Sequence, residues 1–297
     1  MSTQTIPRPP RTRRRAGSAG GEHASLISRP RFLTYGLLLA FVLGSVFPLW
    51  WSFIVASHES AVVRERIPPL LPGGNFFANA GEVFDTVPFW LALGNSLIVA
   101  TTVTVSVVLF GTLAGYAFAR LRFSGSNALF AFVVATLAVP TQLGIIPLYI
   151  AMTSYGWQGQ LAAVIVPNLV TAFGVFWMRQ YLVGALPHEL LEAARVDGCS
   201  MIRTFWHVVL PIARPAAAIL GLFTFMHSWN DFLWPLVVLD AQNPTVQVAL
   251  ERLQAGYYTN YSLVLAGTTL ATIPILLVFV IFGKQIVANI AQGAVKG

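Results

Sequence analysis

Six apolar runs, each long enough at ~1.5 Å of helical rise per residue to cross ~30 Å of hydrocarbon, constrain this chain more than any other feature. They fall at 32–56, 89–118, 127–152, 160–182, 215–239 and 263–288. A segment inside a bilayer must satisfy its own backbone hydrogen bonds, so each run is predicted to be a helix. The fold class is therefore all-α, a polytopic membrane protein with six transmembrane helices. Composition agrees: 56% of the 297 residues are hydrophobic and 10% are charged, against roughly 25% charged in soluble domains. The first run follows a long Arg-rich segment and no Ala-x-Ala site ends it, so it reads as a retained span and not a cleaved signal. Pro140, Pro147, Pro167 and Pro274 fall inside runs, where kinks are expected and neighbouring helices re-satisfy the freed carbonyls.

Lys and Arg set the orientation. With the N-terminus inside, only Arg64, Arg66 and Arg252 face out, leaving fifteen of the eighteen basic residues on the cytoplasmic side. Both termini are then predicted to be cytoplasmic. The net charge of +7 is mostly this topology signal, which argues against reading "RPPRTRRR" as a nucleic-acid arm. Residues 1–31, rich in Pro, Gly, Ser and Arg, are predicted to be a disordered basic cytoplasmic tail, attracted to anionic lipid. Residues 32–297 are predicted to form the six-helix transmembrane domain, with no internal repeat and no soluble domain. The outer loop at 57–87 carries "RIPPLLPGGN", whose prolines and glycines favour turns, and "TSYGWQG" reads as a short outer hairpin.

The only cysteine is Cys199, so no internal disulfide forms. His23, His58, His188, His207 and His227 are scattered without metal-ligand spacing, and neither HExxH nor CxxC occurs. No reactive constellation is present, and the chain is read as a non-enzyme.

One polar stretch, "EAARVDGCSMIRTFWHVVLP" at 192–211, interrupts the apolar second half. Pro187 suits the first turn of a helix that stops at Gly198 in a left-handed cap. Ser200 caps a second helix, and Pro211 is expected to turn the chain back toward the membrane. The loop as a whole occupies about 183–214. Ala193 and Ala194 offer a small-residue face with the charge of Glu192 beside it, a shape that fits a groove on a partner protein. An ordinary amphipathic loop and a DNA-reading helix-turn-helix are the alternatives, the last disfavoured because both helices are tied to spans.

Glu192, Ala193, Ala194, Gly198, Val208, Leu210 and Pro211 together resemble the coupling-loop signature of permease subunits of ATP-binding-cassette importers, with Val208 where Ile is usual. Asp197 falls inside the same signature. "NSLIVATT", "LAGYAFARLRF", "PTQLGIIPLYI", "WNDFLWPLVVL" and the terminal "GAVKG" resemble the carbohydrate branch, which includes the smaller maltose-type permease subunit. The resemblance runs from about the first span to the last residue. It implies a type I importer permease fold in a bacterial cell membrane. It also implies alternating access shared with a second homologous permease, an ATPase docked at the loop, and an extracellular solute-binding protein delivering a sugar or sugar-like solute. No GxxxxGK[ST] loop is present, since Val278 stands where the first glycine before Gly283 and Lys284 would be. No cofactor is expected in this chain; ATP and magnesium would be bound by the partner ATPase.

Asp231 is the only carboxylate placed within a span, about 24 Å from the inner surface when counted from Pro215 at ~1.5 Å per residue. It is a candidate for the outer end of the solute pathway or for a structural hydrogen bond, and Asn230 shares that ambiguity. Asn95, Gln142 and Asn168 are uncharged polar residues in spans that either hold helices together or face the cavity. A glycerol-phosphate importer is the nearest alternative function. A secondary transporter is a more distant one, because acidic or histidine relays at midplane are almost lacking.

Overall fold

The computed structural model describes residues 32–60, 69–255 and 259–294; the basic tail at 1–31 lies outside them. Every element among the described residues is helical. The chain divides into two compact units at Pro48. The described part of the first is the opening of α1 (Phe32–Ala56), whose side chains are exposed throughout that stretch.

In the second unit α2 (Phe76–Thr86) precedes the long α3 (Phe89–Arg120). α4 (Ser126–Thr136) and α5 (Ile145–Ser154) follow, then α6 (Leu161–Ile165) and α7 (Ala172–Ala185). Next come α8 (His188–Val196), α9 (Met201–Thr204) and α10 (Leu210–Asn230). The chain ends with α11 (Leu233–Val238), α12 (Val246–Arg252) and α13 (Tyr261–Ala294). Among the described residues five helical stretches are long and apolar enough to cross a membrane. A sixth is made if α4 and the segment Thr141–Ser154, bent by 92° to each other, count as one span.

Three of the runs read as single helices are broken. Pro140 has no N–H to continue α4 and pushes Val139 away from helical geometry; the chain restarts as a 3-10 turn, Thr141–Gly144. Between α6 and α7 the chain passes through a 3-10 turn at Val166–Asn168. The carbonyl of Leu169, freed there, accepts from Ser106 Oγ on α3 at 2.8 Å, which is how a broken helix is tolerated at membrane depth. The fifth run ends at Asn230, where Asp231 turns extended (φ −66°, ψ 121°) before α11 begins. Asp231 is thus the residue that ends the helix and does not lie within it. Pro211 also departs from expectation, because the chain does not turn there. A π-helical stretch, Phe205–Val209, sits just ahead of it, so the backbone shifts register around the missing N–H and runs on without a break in one helix, Met201–Asn230.

α3, α7 and α10 form the centre. Val107, Met178, Leu182, Val209 and Leu220 are buried where they meet. The α3–α7 crossing is close because "GTLAG" at 111–115 puts two glycines on one face: a Cβ on Gly111 would lie 3.1 Å from the backbone of Gly174, and one on Gly115 only 2.7 Å from Arg179 N. Trp177 Nε1 and Tyr181 Oη on α7 donate to the carbonyls of Ala216 and Ile212 on α10 at 3.1 and 3.3 Å. A second cluster joins Val83, Ala92, Phe225, Trp229, Ala249 and Leu263. It buries α2 and α12, helices too short and too polar to be read as spans. The connection at 57–87, expected to consist of turns, is therefore partly regular, from Phe76 onward.

Candidate functional site: a capped hairpin and a cavity at the helix breaks

The turn of the polar hairpin is capped as its sequence demands. α8 ends in a Schellman motif: Gly198 takes φ +76°, its N–H reaches Arg195 O at 3.0 Å, and Cys199 N–H reaches Ala194 O at 2.9 Å. Ser200 Oγ accepts from Arg203 N–H at 3.3 Å to start the next helix. Glu192, Ala193 and Asp197 are exposed. Ala193 and Ala194 do not share a face, because α8 is amphipathic and turns Leu191 and Ala194 inward, three residues apart. The outward apolar surface of the hairpin is instead Ala193 with Val196, Met201, Ile202 and Trp206. Leu210 and Pro211 are half-buried in the helix that leaves it.

Of the polar residues in spans, two come together. A cavity of about 710 Å³ has Asn168 and Asp231 in its wall, with Thr141, Thr171, His227 and Ser228. All three helix breaks, at 137–140, 166–171 and 231–232, open onto it. Asn168 Nδ2 donates to Val164 O at 2.9 Å, which leaves its carbonyl oxygen available. His227 lies one turn before Asp231 and is exposed; it was not among the residues expected from the sequence, although its i, i+4 spacing to Asp231 is a legible signal.

The other three do not line it. Asn95 is buried against the connection between α11 and α12, donating to Asn243 Oδ1 at 2.8 Å and to Pro244 O at 2.9 Å. Gln142 is exposed in its 3-10 turn and does not line the cavity. Asn230 is exposed and donates back to Met226 O at 2.8 Å. Replacing Asn95 with Ala is expected to leave Asn243 Oδ1 and the Pro244 carbonyl without this donor and to cost about 1–3 kcal/mol, read as a lower thermal midpoint in detergent with solute affinity unchanged.

A family model described as "Binding-protein-dependent transport system inner membrane component" matches residues 107–295. The chain is 35% identical over 277 residues to the arabinooligosaccharides transport system permease protein AraQ of Halalkalibacterium halodurans, covering 89% of this chain and 96% of that one. It is 32% identical over 269 residues to the lactose transport system permease protein LacG of Rhizobium radiobacter, covering 90% and 97%. To the sn-glycerol-3-phosphate permease protein UgpE of Yersinia pestis it is 30% identical over 265 residues, covering 86% and 94%. Its fold is similar to a chain of a bacterial ABC transporter that imports the acidic polysaccharide alginate, with a TM-score of 0.72, 23% identity, and coverage of 85% and 94%. The chain belongs to the binding-protein-dependent inner-membrane components, the multi-pass, non-enzymatic permease subunits of bacterial ATP-binding-cassette importers.

Proposed function

We propose that this permease forms, with a second homologous permease, the alternating-access pathway for an uncharged sugar, driven by ATP hydrolysis on a separate ATPase docked at the α8–α9 hairpin. The observation that carries this reading is the unbroken helix Met201–Asn230. Its 30 residues span about 45 Å at ~1.5 Å per residue. It starts at the Ser200 cap of the hairpin and ends beside Asp231 in the cavity wall. A displacement at the hairpin is delivered along a rigid element to the place where solute would sit. ATP and magnesium belong to the ATPase, both termini and the basic tail lie in the cytoplasm, and a solute-binding protein delivers the ligand outside.

The lining supports the sugar class of the relatives over the phosphate class. It supplies hydroxyl, amide and imidazole groups, one carboxylate, and no Lys or Arg. A phosphate monoester would meet Asp231 with no Lys or Arg in the lining to offset the like charge, whereas sugar hydroxyls donate to Asp231 and Asn168. Asp231→Asn and Asn168→Ala are each expected to raise KM for uptake about tenfold, the worth of one hydrogen bond to the solute, with ATP hydrolysis per solute unchanged. Uptake in reconstituted vesicles checks this. Competition by excess sn-glycerol 3-phosphate and none by neutral sugars would favour the phosphate reading instead.

A further inference from the structure

We infer that Arg120, at the C-terminal end of α3, is a positioning residue that locks the joint between α7 and the docking helix α8, so that movement of α8 is passed to α3 and not lost at that joint. The inference rests on α8 being the docking element. α7 ends at Ala185 and α8 begins at His188, so the joint is two residues, Leu186 and Pro187. The Arg120 guanidinium bonds both sides of it. Nη2 donates to the carbonyls of Leu182 and Val183 at 3.3 and 2.8 Å; Leu182 O already accepts from Leu186 N–H at 3.2 Å, whereas the helical donor to Val183 O would be residue 187, a proline with no N–H. Nη1 lies 3.1 Å from His188 Nε2 in the first turn of α8. Arginine carries donors only, so Nε2 must be the acceptor and the His188 proton sits on Nδ1.

The third nitrogen, Nε, is buried with no partner among the described residues. The side chain thus accepts an unmet donor to hold this pose. The planar fork sets two directions at once, one along the end of α7 and one across the joint, which a lysine ammonium does not reproduce. Leu186 is fully buried in the core, so the joint has one residue held by packing and one exposed residue, Pro187, whose ring fixes φ but leaves ψ to rotate. His188 is exposed, and its substitution leaves the core untouched.

The test uses the complete importer, with its ATPase and solute-binding protein, in vesicles. His188→Gln keeps an acceptor near the Nε2 position and His188→Ala removes it. The expected result is that His188→Ala lowers solute transported per ATP hydrolysed by about tenfold, within the range of coupling energies between sites, while His188→Gln stays within about twofold of the parent. Arg120→Lys should behave like His188→Ala. Equal ratios for His188→Ala and His188→Gln, or an unchanged ratio in Arg120→Lys, overturn the inference. The docking reading is checked in the same preparations by cross-linking from Val196→Cys, in a Cys199→Ser background, to the ATPase. Loss of that cross-link in the parent refutes docking, and its retention with unchanged ratios refutes the Arg120 lock alone.

Discussion

Gly115→Leu is expected to abolish the folded protein. The α3–α7 crossing brings a Cβ at this position within 2.7 Å of Arg179 N and 2.9 Å of Met178 C, both backbone atoms. A backbone cannot rotate aside as a side-chain tip does, so α3 and α7 must separate. That separation strips contacts from Met178 and Leu182, which are fully buried, and lengthens the Trp177 and Tyr181 bonds to α10. Overpacking a core costs typically 1–3 kcal/mol, and a helix displacement at the centre of the bundle should exceed about 3 kcal/mol. The readout is the yield of monodisperse protein extracted from membranes, together with its thermal midpoint. Gly94→Ala on the same helix is the control: no atom lies within 4 Å of its added Cβ, and the exchange should be neutral or slightly stabilising through helix propensity. Wild-type yield from Gly115→Leu would show that the crossing is not as close as described.

Gly198→Val is expected to leave the protein folded in the membrane and to uncouple it. The residue holds φ +76°, a conformation that costs an L side chain roughly 1–2 kcal/mol and a β-branched one more. No neighbouring atom crowds a Cβ there, so the penalty is conformational and local. The cheapest relief is to open the Schellman turn, which frees the carbonyls of Ala194 and Arg195 and changes the angle between α8 and the helix that starts at Ser200. Solute uptake should fall at least about tenfold while ATP hydrolysis persists in the assembled complex. Asn, which tolerates the left-handed region, should retain most uptake at this position. Glu192→Lys, which reverses the exposed charge beside Ala193, is expected to act in the same direction. Normal accumulation of solute by Gly198→Val would count against the hairpin as the coupling element.

The sequence made the first span legible to the residue, Phe32–Ala56, because unbroken apolarity has no competing interpretation. It also made the cap at Gly198 legible, since few residues other than glycine end a helix that way. The breaks were not legible. Pro140 and Pro167 announce a bend, but whether a helix bends or stops depends on a distant partner such as Ser106 for the Leu169 carbonyl. Pro211 shows the converse, a proline that the helix passes by means of a π-helical stretch. Nor could Asn95 be told from Asn168: both are lone amides in apolar runs, and what separates them is Asn243, 148 residues away. The cavity exists because three breaks converge, a tertiary fact that no single segment encodes. "GTLAG" was the one packing signal open to reading, and α2 and α12 hid behind their shortness.

The most direct test of the central claim is the sidedness and protection of the hairpin. Ala193→Cys in a Cys199→Ser background, treated with a membrane-impermeant maleimide, should stay unlabelled in intact cells. It should be labelled in inside-out vesicles stripped of the ATPase, and be protected again when the ATPase is added back. Labelling from outside intact cells, or labelling that the ATPase does not alter, would contradict the account.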